Sequence, residues 1–286
     1  MPPGGAAIAA AAQPAIEPLL LAATRVSTFL QQRLLTQASG FFFQRDERLY
    51  LVTSRHVCFD EPSGHHPDRL EIELHTDAGN MTDSIGFSIP LYRDGQGVWI
   101  DGLDGSGEID VAVVELERAA LPATAIIRAF TPQHLEAVQA AAVEVGTSLL
   151  IVGFPLGFHD TLHHLPVVRQ AVIASSYGMR FKGEGYFLTD ARTHRGTSGA
   201  PVVARLPAPL PDPAGGELQQ LPWLLLGVHS ARLDVDGRDL GLDEALGLNC
   251  AWYADILMVL TRGGPRPPAP AVAPPVPPPA APARRS

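Results

Sequence analysis

Lysine is nearly absent from this chain. Lys182 stands alone beside twenty arginines, and 30 acidic residues against 21 basic ones leave a formal charge of −9 over 286 residues. No basic run interrupts that balance, so nucleic acid finds no electrostatic footprint here. The arginine excess reads as a compositional bias. Cysteine is equally scarce: Cys58 and Cys250 are the whole supply. Two thiols do not make a disulfide framework, and a reducing, cytoplasmic setting is the simpler expectation. Long apolar runs are missing as well. No stretch approaches the roughly 20 apolar residues of a membrane-spanning helix. Met1–Ala23 is apolar, but no Lys or Arg precedes Arg25, and Pro14, Glu17 and Pro18 break the run. A secretory leader needs a basic start and an unbroken apolar core.

What is present is enough for a sizeable core. Hydrophobic residues make up 46% and charged ones 18%, which argues against a largely disordered chain. Residues 1–17 are mostly Ala, Pro and Gly and are expected to form a loose arm. Residues 264–286 hold ten of the 27 prolines. Proline at that density cannot complete a barrel, so this tail is expected to be an extended spacer, dispensable for function, with docking to a partner as the alternative.

Between these ends the pattern is strand after short strand, bounded by Gly, Pro, Asp or Ser. The candidates are Thr24–Leu30, Gly40–Arg45, Leu49–Thr53, Arg69–His75, Ser84–Tyr92, Gly97–Ile100, Val111–Leu116, Ser148–Val152, Val167–Ser175, Gly185–Thr189, Ala200–Ala204, Trp223–Val228 and Gly247–Ala251. Helical pattern is confined to Gln133–Ala142 and Asp255–Leu260, the latter with a possible start at Tyr253. The composition of elements predicts an all-β barrel or sandwich.

Three segments carry chemistry. In Leu51-Val52-Thr53-Ser54-Arg55-His56-Val57 a β-rich run stops at a histidine. In Ile109-Asp110-Val111-Ala112-Val113-Val114 an aspartate opens an apolar strand. In Gly196-Thr197-Ser198-Gly199-Ala200-Pro201 a serine sits between glycines before another strand. Singly, each has an ordinary explanation as a turn or strand-edge residue. Together they supply a hydroxyl nucleophile, a base and an acid that fixes the base's tautomer, which are the parts acyl transfer requires. Asp104 and Glu108 are rivals to Asp110, but they lie in or beside the glycine-rich Gly102–Gly107 segment, a poor rigid mount.

These segments resemble the chymotrypsin-like (trypsin-fold) serine proteases of bacterial type. The likeness extends through Thr189-Asp190-Ala191, Gly227-Val228-His229-Ser230, Asn249-Cys250-Ala251 and Tyr253-Ala254-Asp255, and covers roughly residues 20 to 262. It implies two antiparallel six-stranded β-barrels with a C-terminal helix: barrel one about 18–116, a connection about 117–146, barrel two about 147–252 and the helix about 253–262. It implies His56, Asp110 and Ser198 as the catalytic residues, the N–H groups of Gly196 and Ser198 as an oxyanion hole, and Ser230 as a hydrogen-bond donor to the aspartate. It implies a peptide or protein substrate and no cofactor.

The departures from the family pattern are informative. Thr197 stands where the animal enzymes carry the aspartate that captures a freshly cut N-terminus, so activation by that route is not expected. Ala200 replaces a glycine common after the nucleophile. Cys58 lies two residues after His56 and is expected to be a free, buried thiol.

The walls of the primary specificity pocket, by the same resemblance, are Arg192-Thr193-His194-Arg195 and Gly227-Val228-His229-Ser230. Thr193 and His229 are similar to residues of bacterial glutamyl endopeptidases, which implies a preference for Glu or Asp before the scissile bond. A hydroxyl, an imidazole and an arginine suit a carboxylate. The alternative is that His229 faces the barrel core while both arginines face solvent.

His159, His163 and His164, with Asp160, suggest a metal site, but flanking Gly and Pro favour a loop, and no metal is assigned. His65 and His66 read as a solvent loop; His75, His134 and His194 have no assignment. Two function classes remain: an active endopeptidase, or a protease-fold module that binds peptides without turnover. The insertions Glu117–Val145 and Leu206–Leu221 keep the second open.

Overall fold

The computed structural model describes residues 16–140, 142–206, 221–230 and 247–263. Nearly all of the amino-terminal arm, the whole proline-rich tail and most of the Leu206–Leu221 insertion lie outside the described residues. No helix is long and apolar enough to cross a membrane among those described.

The chain opens with a single 3-10 turn, Pro18–Leu21, whose Leu19 is buried. Three strands follow in a meander: β1 (Ala23–Leu30), β2 (Arg33–Arg45) and β3 (Arg48–Thr53). One helical turn, α1 (Arg55–Cys58), then leads to β4 (Arg69–His75) and β5 (Ser84–Pro90). A two-residue ribbon, β6 (Tyr92–Arg93) with β7 (Gln96–Gly97), precedes the hairpin of β8 (Ile100–Asp104) and β9 (Gly107–Leu116). These form a seven-stranded antiparallel sheet in the order β5-β4-β1-β2-β3-β9-β8.

The connection carries α2 (Pro132–Ala140). Its start is a reciprocal cap in which Thr131 N–H donates to Nδ1 of His134 at 2.9 Å and His134 N–H returns to the Thr131 carbonyl at 3.0 Å. Barrel two comprises β10 (Ser148–Gly153), β11 (Val167–Ile173), β12 (Tyr186–Asp190), β13 (Pro201–Arg205), β14 (Trp223–Ser230) and β15 (Leu248–Tyr253), closed in the order β10-β11-β12-β15-β14-β13. A 3-10 turn, Ala254–Ile256, runs into α3 (Leu257–Leu260).

Strand alternation explains why these segments are apolar on both faces. In β2, Phe42 points into a first core with Leu51, Leu70, Ile72 and Val114. Its neighbours Phe41 and Phe43 point the other way, into a core shared with Val152, Val203, Val228 and Trp252 of barrel two. A third core, with Leu149, Ile151, Phe187, Val202, Leu224 and Ala251, fills barrel two. The middle core fixes one half of the molecule against the other. Every buried leucine or phenylalanine in it contributes about 1.5–3 kcal/mol by leaving water. The C-terminal helix adds to the joint: Nη1 of Arg45 donates to the Met258 carbonyl at 2.7 Å, and Leu260 packs over Gly102.

All thirteen expected strands coincide with observed ones, with two revisions. β2 begins at Arg33 rather than Gly40, because its first half, Arg-Leu-Leu-Thr-Gln, is mostly exposed and shows no apolar alternation. The expected Gly97–Ile100 strand divides instead between β7 and β8, and the glycine-rich segment after it forms the β8–β9 hairpin, so the main sheet of the first half has seven strands where six were expected, with the β6–β7 ribbon beside it.

The Glu117–Val145 insertion is largely built into the fold. Ile126 bridges to His75, Phe130 bridges to Phe43, and Phe130 is fully buried.

Candidate active site

His56 sits on α1, directly after β3. Its backbone N–H donates to Oδ1 of Asp110 at 3.0 Å, and its Nδ1 lies 2.9 Å from Oδ1 and 2.8 Å from Oδ2. Asp110 is reached because Thr53 pairs with Ala112 in the adjacent β9, two residues beyond it. Oγ of Ser230, at the end of β14, donates to Oδ2 of Asp110 at 2.8 Å. Burial alone would raise the Asp110 carboxyl. The charge of His56, the two bonds from His56 and the Ser230 hydroxyl together outweigh it and hold the group below the ordinary carboxylate range. Asp110 is thus kept as an anion in a largely dry place.

Ser198 lies on the loop between β12 and β13 and is 6% exposed. The His229 carbonyl ties this loop to the histidine segment. It accepts the N–H of Gly199 at 2.8 Å and a longer bond, 3.5 Å, from the hydroxyl of Ser54, two residues before His56. The N–H of His229 returns to the Ala200 carbonyl at 2.8 Å. His56, Asp110 and Ser230 are thus joined directly, and the Ser198 loop is tied to the same region through His229, with the four residues drawn from four separate parts of the chain.

The turn before Ser198 is closed by Thr197, whose N–H and Oγ1 donate to the His194 carbonyl at 3.2 and 2.8 Å. Gly196 within it has φ +91°, and a Cβ there would lie 2.6 Å from the Phe154 carbonyl and 3.0 Å from the Leu156 nitrogen. Both facts require glycine. The Arg195 carbonyl accepts the N–H of Leu156 at 2.6 Å. Across the trans peptide, the N–H of Gly196 points the opposite way, away from the 154–157 loop.

The rivals to Asp110 are engaged elsewhere. Asp104 pairs with Arg180, while Glu108 and Asp101 share Arg55 at 2.7 and 3.0 Å.

Of the expected pocket residues, Arg192 and Arg195 are exposed. Oγ1 of Thr193 lies 2.5 Å from Oδ1 of Asn249, and the carbonyl of His194 closes the turn described above. His229 is fully buried. It pairs with Ala251, so its side chain shares the face of that residue inside barrel two. Among the described residues neither ring nitrogen has a hydrogen-bond partner, and the same holds for Oγ1 of the buried Thr189. Burial pushes His229 down to about 3, so the ring is neutral. A shallow hollow of about 260 Å³ beside Asp190 and Arg192 flanks this wall. The larger cleft, about 350 Å³ between Arg180, Trp252 and Val259, does not include any residue of the His56 constellation.

Three other expectations meet the structure here. Cys58 is a free, fully buried thiol, raised above its ordinary range chiefly by burial. The 154–165 segment is a loop: His159 bonds the Gly157 carbonyl, His163 bonds Asp160, and His75 reaches the His163 carbonyl at 2.6 Å. His65 and His66 are not a solvent loop. His65 bonds the Val57 carbonyl at 3.2 Å, and His66 stacks on Phe59, itself stacked on Trp99, so a hydrogen bond holds the first and aromatic packing the second, leaving both half-buried.

The mostly β architecture, with its closed six-stranded barrel and short C-terminal helix, is a trypsin-like fold. The trypsin-like peptidase domain family model matches residues 38–206, and the chain belongs to that family. No curated protein matches the chain by sequence. Among solved structures, a serine endoprotease from Yersinia pestis is 17% identical with a TM-score of 0.48, covering 86% of this chain; the chain spans 63% of that protein's length. The active form of the Rv3671c protease from M. tuberculosis is 14% identical with a TM-score of 0.45, covering 94% of this chain and 96% of that one. Its inactive form is 14% identical with a TM-score of 0.43, covering 85% and 91%.

Proposed function

We propose that the chain hydrolyses peptide bonds through a Ser198 acyl-enzyme. The observation that carries this reading is the hydrogen-bond chain from Ser230 to Asp110 to Nδ1 of His56. An anionic Asp110 holds the proton on Nδ1, which leaves Nε2 as the base. Nε2 takes the Ser198 proton as Oγ attacks the scissile carbonyl, and the carbonyl oxygen becomes an oxyanion facing the N–H groups of Gly196 and Ser198. His56 then gives its proton to the departing amine. Water attacks the acyl carbon as His56 takes its proton, and His56 then returns that proton to Oγ of Ser198 as the C–O bond breaks and the acid product leaves. Each oxyanion donor in comparable sites contributes about 3–4 kcal/mol to the transition state.

The residue before the scissile bond is proposed to be Glu or Asp. In support, His229 and Thr189 are buried polar groups without hydrogen-bond partners among the described residues, an arrangement that is costly unless a ligand satisfies it. A substrate carboxylate entering the barrel mouth would accept from both. Thr193 stands beside them through Asn249, and the exposed Arg192 and Arg195 would attract the carboxylate from outside rather than hold it.

The test is reaction of the full chain with a fluorophosphonate probe. Wild-type protein is expected to label at Ser198 without prior processing, and Ser198→Ala and His56→Ala to lose labelling and lower peptide turnover by several orders of magnitude. Unlabelled wild-type protein, or a Ser198→Ala protein with normal turnover, overturns the reading.

A further inference from the structure

We infer that Ser39 is a positioning residue for the oxyanion turn, a role that rests on the serine-peptidase reading above. Ser39 lies in β2 and is fully buried. Both its peptide groups and its hydroxyl are bonded to the machinery around Ser198. Its N–H donates to the Ser198 carbonyl at 2.9 Å, and its own carbonyl accepts Oγ1 of Thr53, three residues before His56, at 2.8 Å. Its Oγ donates to the Gly196 carbonyl at 2.7 Å and accepts the N–H of Phe154 at 3.0 Å.

The hydroxyl matters because of where Gly196 sits. The two peptide planes flanking Gly196 are each held by one bond from outside the turn. The Arg195 carbonyl is held by Leu156 N–H, and the Gly196 carbonyl by Ser39. The Phe154 N–H bond makes the same hydroxyl fix the loop that supplies Leu156. Ser39 thus reaches both restraints, one directly and one through Phe154–Leu156.

A turn with a glycine at positive φ has a nearby alternative in which its central peptide is rotated. Rotation of the Arg195–Gly196 peptide would turn the Gly196 N–H away and present a carbonyl oxygen to the developing oxyanion. Like charge would then face like charge at the transition state. Loss of the Ser39 hydroxyl therefore weakens the selection of the productive turn without touching a group that contacts substrate.

The test compares full-length wild type, Ser39→Ala and Ser39→Cys on one fluorogenic peptide. The Ki of a peptide aldehyde of the same sequence, whose hemiacetal forms the oxyanion, is measured alongside. For Ser39→Ala, kcat is expected to fall about 10–100-fold with KM within about threefold, and aldehyde affinity to fall in proportion to kcat. Ser39→Cys, with a weak donor of similar shape, is expected to fall between. If Ser39→Ala does not fold, Ser39→Cys alone is read by the same criterion. A kcat within twofold of wild type, or a fall in kcat with unchanged aldehyde affinity, overturns the role of Ser39. Either result in an active wild type whose Ser198→Ala variant is inert leaves the peptidase reading standing. An inert, unlabelled wild type overturns both.

Discussion

The Ser230 hydroxyl donates to Asp110 across 2.8 Å, so the last residue of β14 in barrel two supports a carboxylate carried by the first sheet. The bond helps hold Asp110 ionised against its burial. Removing the hydroxyl in Ser230→Ala should lower kcat/KM by about tenfold, the scale of one hydrogen bond to a charged group. It should also change acid sensitivity in a defined direction. A carboxylate with a depressed folded value stabilises the fold above its unfolded value, near 3.9, and that stability is lost as pH falls through the folded value. With less depression, the loss still begins near the unfolded value but is smaller and is complete at a higher pH. Denaturant unfolding between pH 2 and 5 checks the shift, and coincident curves for the two proteins would refute it.

Gly196→Ala is expected to cost about 10²–10³ in kcat, with a smaller effect on KM. Its φ of +91° and the Phe154 carbonyl 2.6 Å from the new Cβ both act against the side chain. The strain of the left-handed conformation adds about 1–3 kcal/mol of destabilisation. Steady-state kinetics and a thermal melt on the same preparation separate the two effects. Normal kcat in a destabilised protein would show that the turn tolerates displacement.

His134 gives a stability signature unrelated to catalysis. It is fully buried at the start of α2, and burial holds it down to about 4. The folded state keeps the ring neutral, whereas the unfolded chain takes up a proton near 6.5. Its contribution is therefore complete above about pH 6.5 and lost as pH falls from there toward 4, with a slope of up to about 1.4 kcal/mol per pH unit. His134→Asn, which retains an acceptor for the Thr131 N–H, should flatten that part of the curve. Urea unfolding at pH 7, 5.5 and 4.5 is the measurement, and an unchanged slope would count against the assignment.

His229→Ala should abolish any preference for Glu or Asp before the scissile bond while fluorophosphonate labelling of Ser198 persists. A cleavage profile on a peptide library reads the preference directly. Cleavage after Arg, Lys or large apolar residues, with none after acidic ones, would remove the acidic pocket and leave the nucleophile assignment untouched. Binding of an acidic side chain to a neutral imidazole should also favour proton uptake by His229, so affinity for acidic peptides should strengthen as pH falls.

Much of the architecture could be read from the chain because each strand is short, apolar and bounded by turn residues. His56, Asp110 and Ser198 could be named because each stands in a local context, before or after an apolar run, that persists in one sequence window. Ser39 could not. Its partners lie 115 and 157 residues away, and a serine before a glycine in a strand has no distinguishing neighbourhood. The exposed first half of β2 was hidden for a related reason, since a hairpin projecting into water needs no apolar alternation. The half-buried placement of His65 and His66 does not show in the loop-like composition of Pro62–Pro67, because it comes from the Val57 carbonyl and the Phe59 ring on or beside α1.

The position of β15 in the chain sets a timetable for this molecule. Barrel two closes only when Leu248–Tyr253 inserts between β12 and β14, and this is the last of the described strands in the chain. A ribosome releasing the chain from its amino terminus would expose His56 and Ser198 long before that keystone arrives. Until then β14 lacks a neighbour on one side, and with it the register that brings Ser230 to Asp110. A chain truncated before residue 248 would carry His56, Asp110 and Ser198 but lack the strand that closes barrel two, and the Ser230–Asp110 bond is expected to be lost with it.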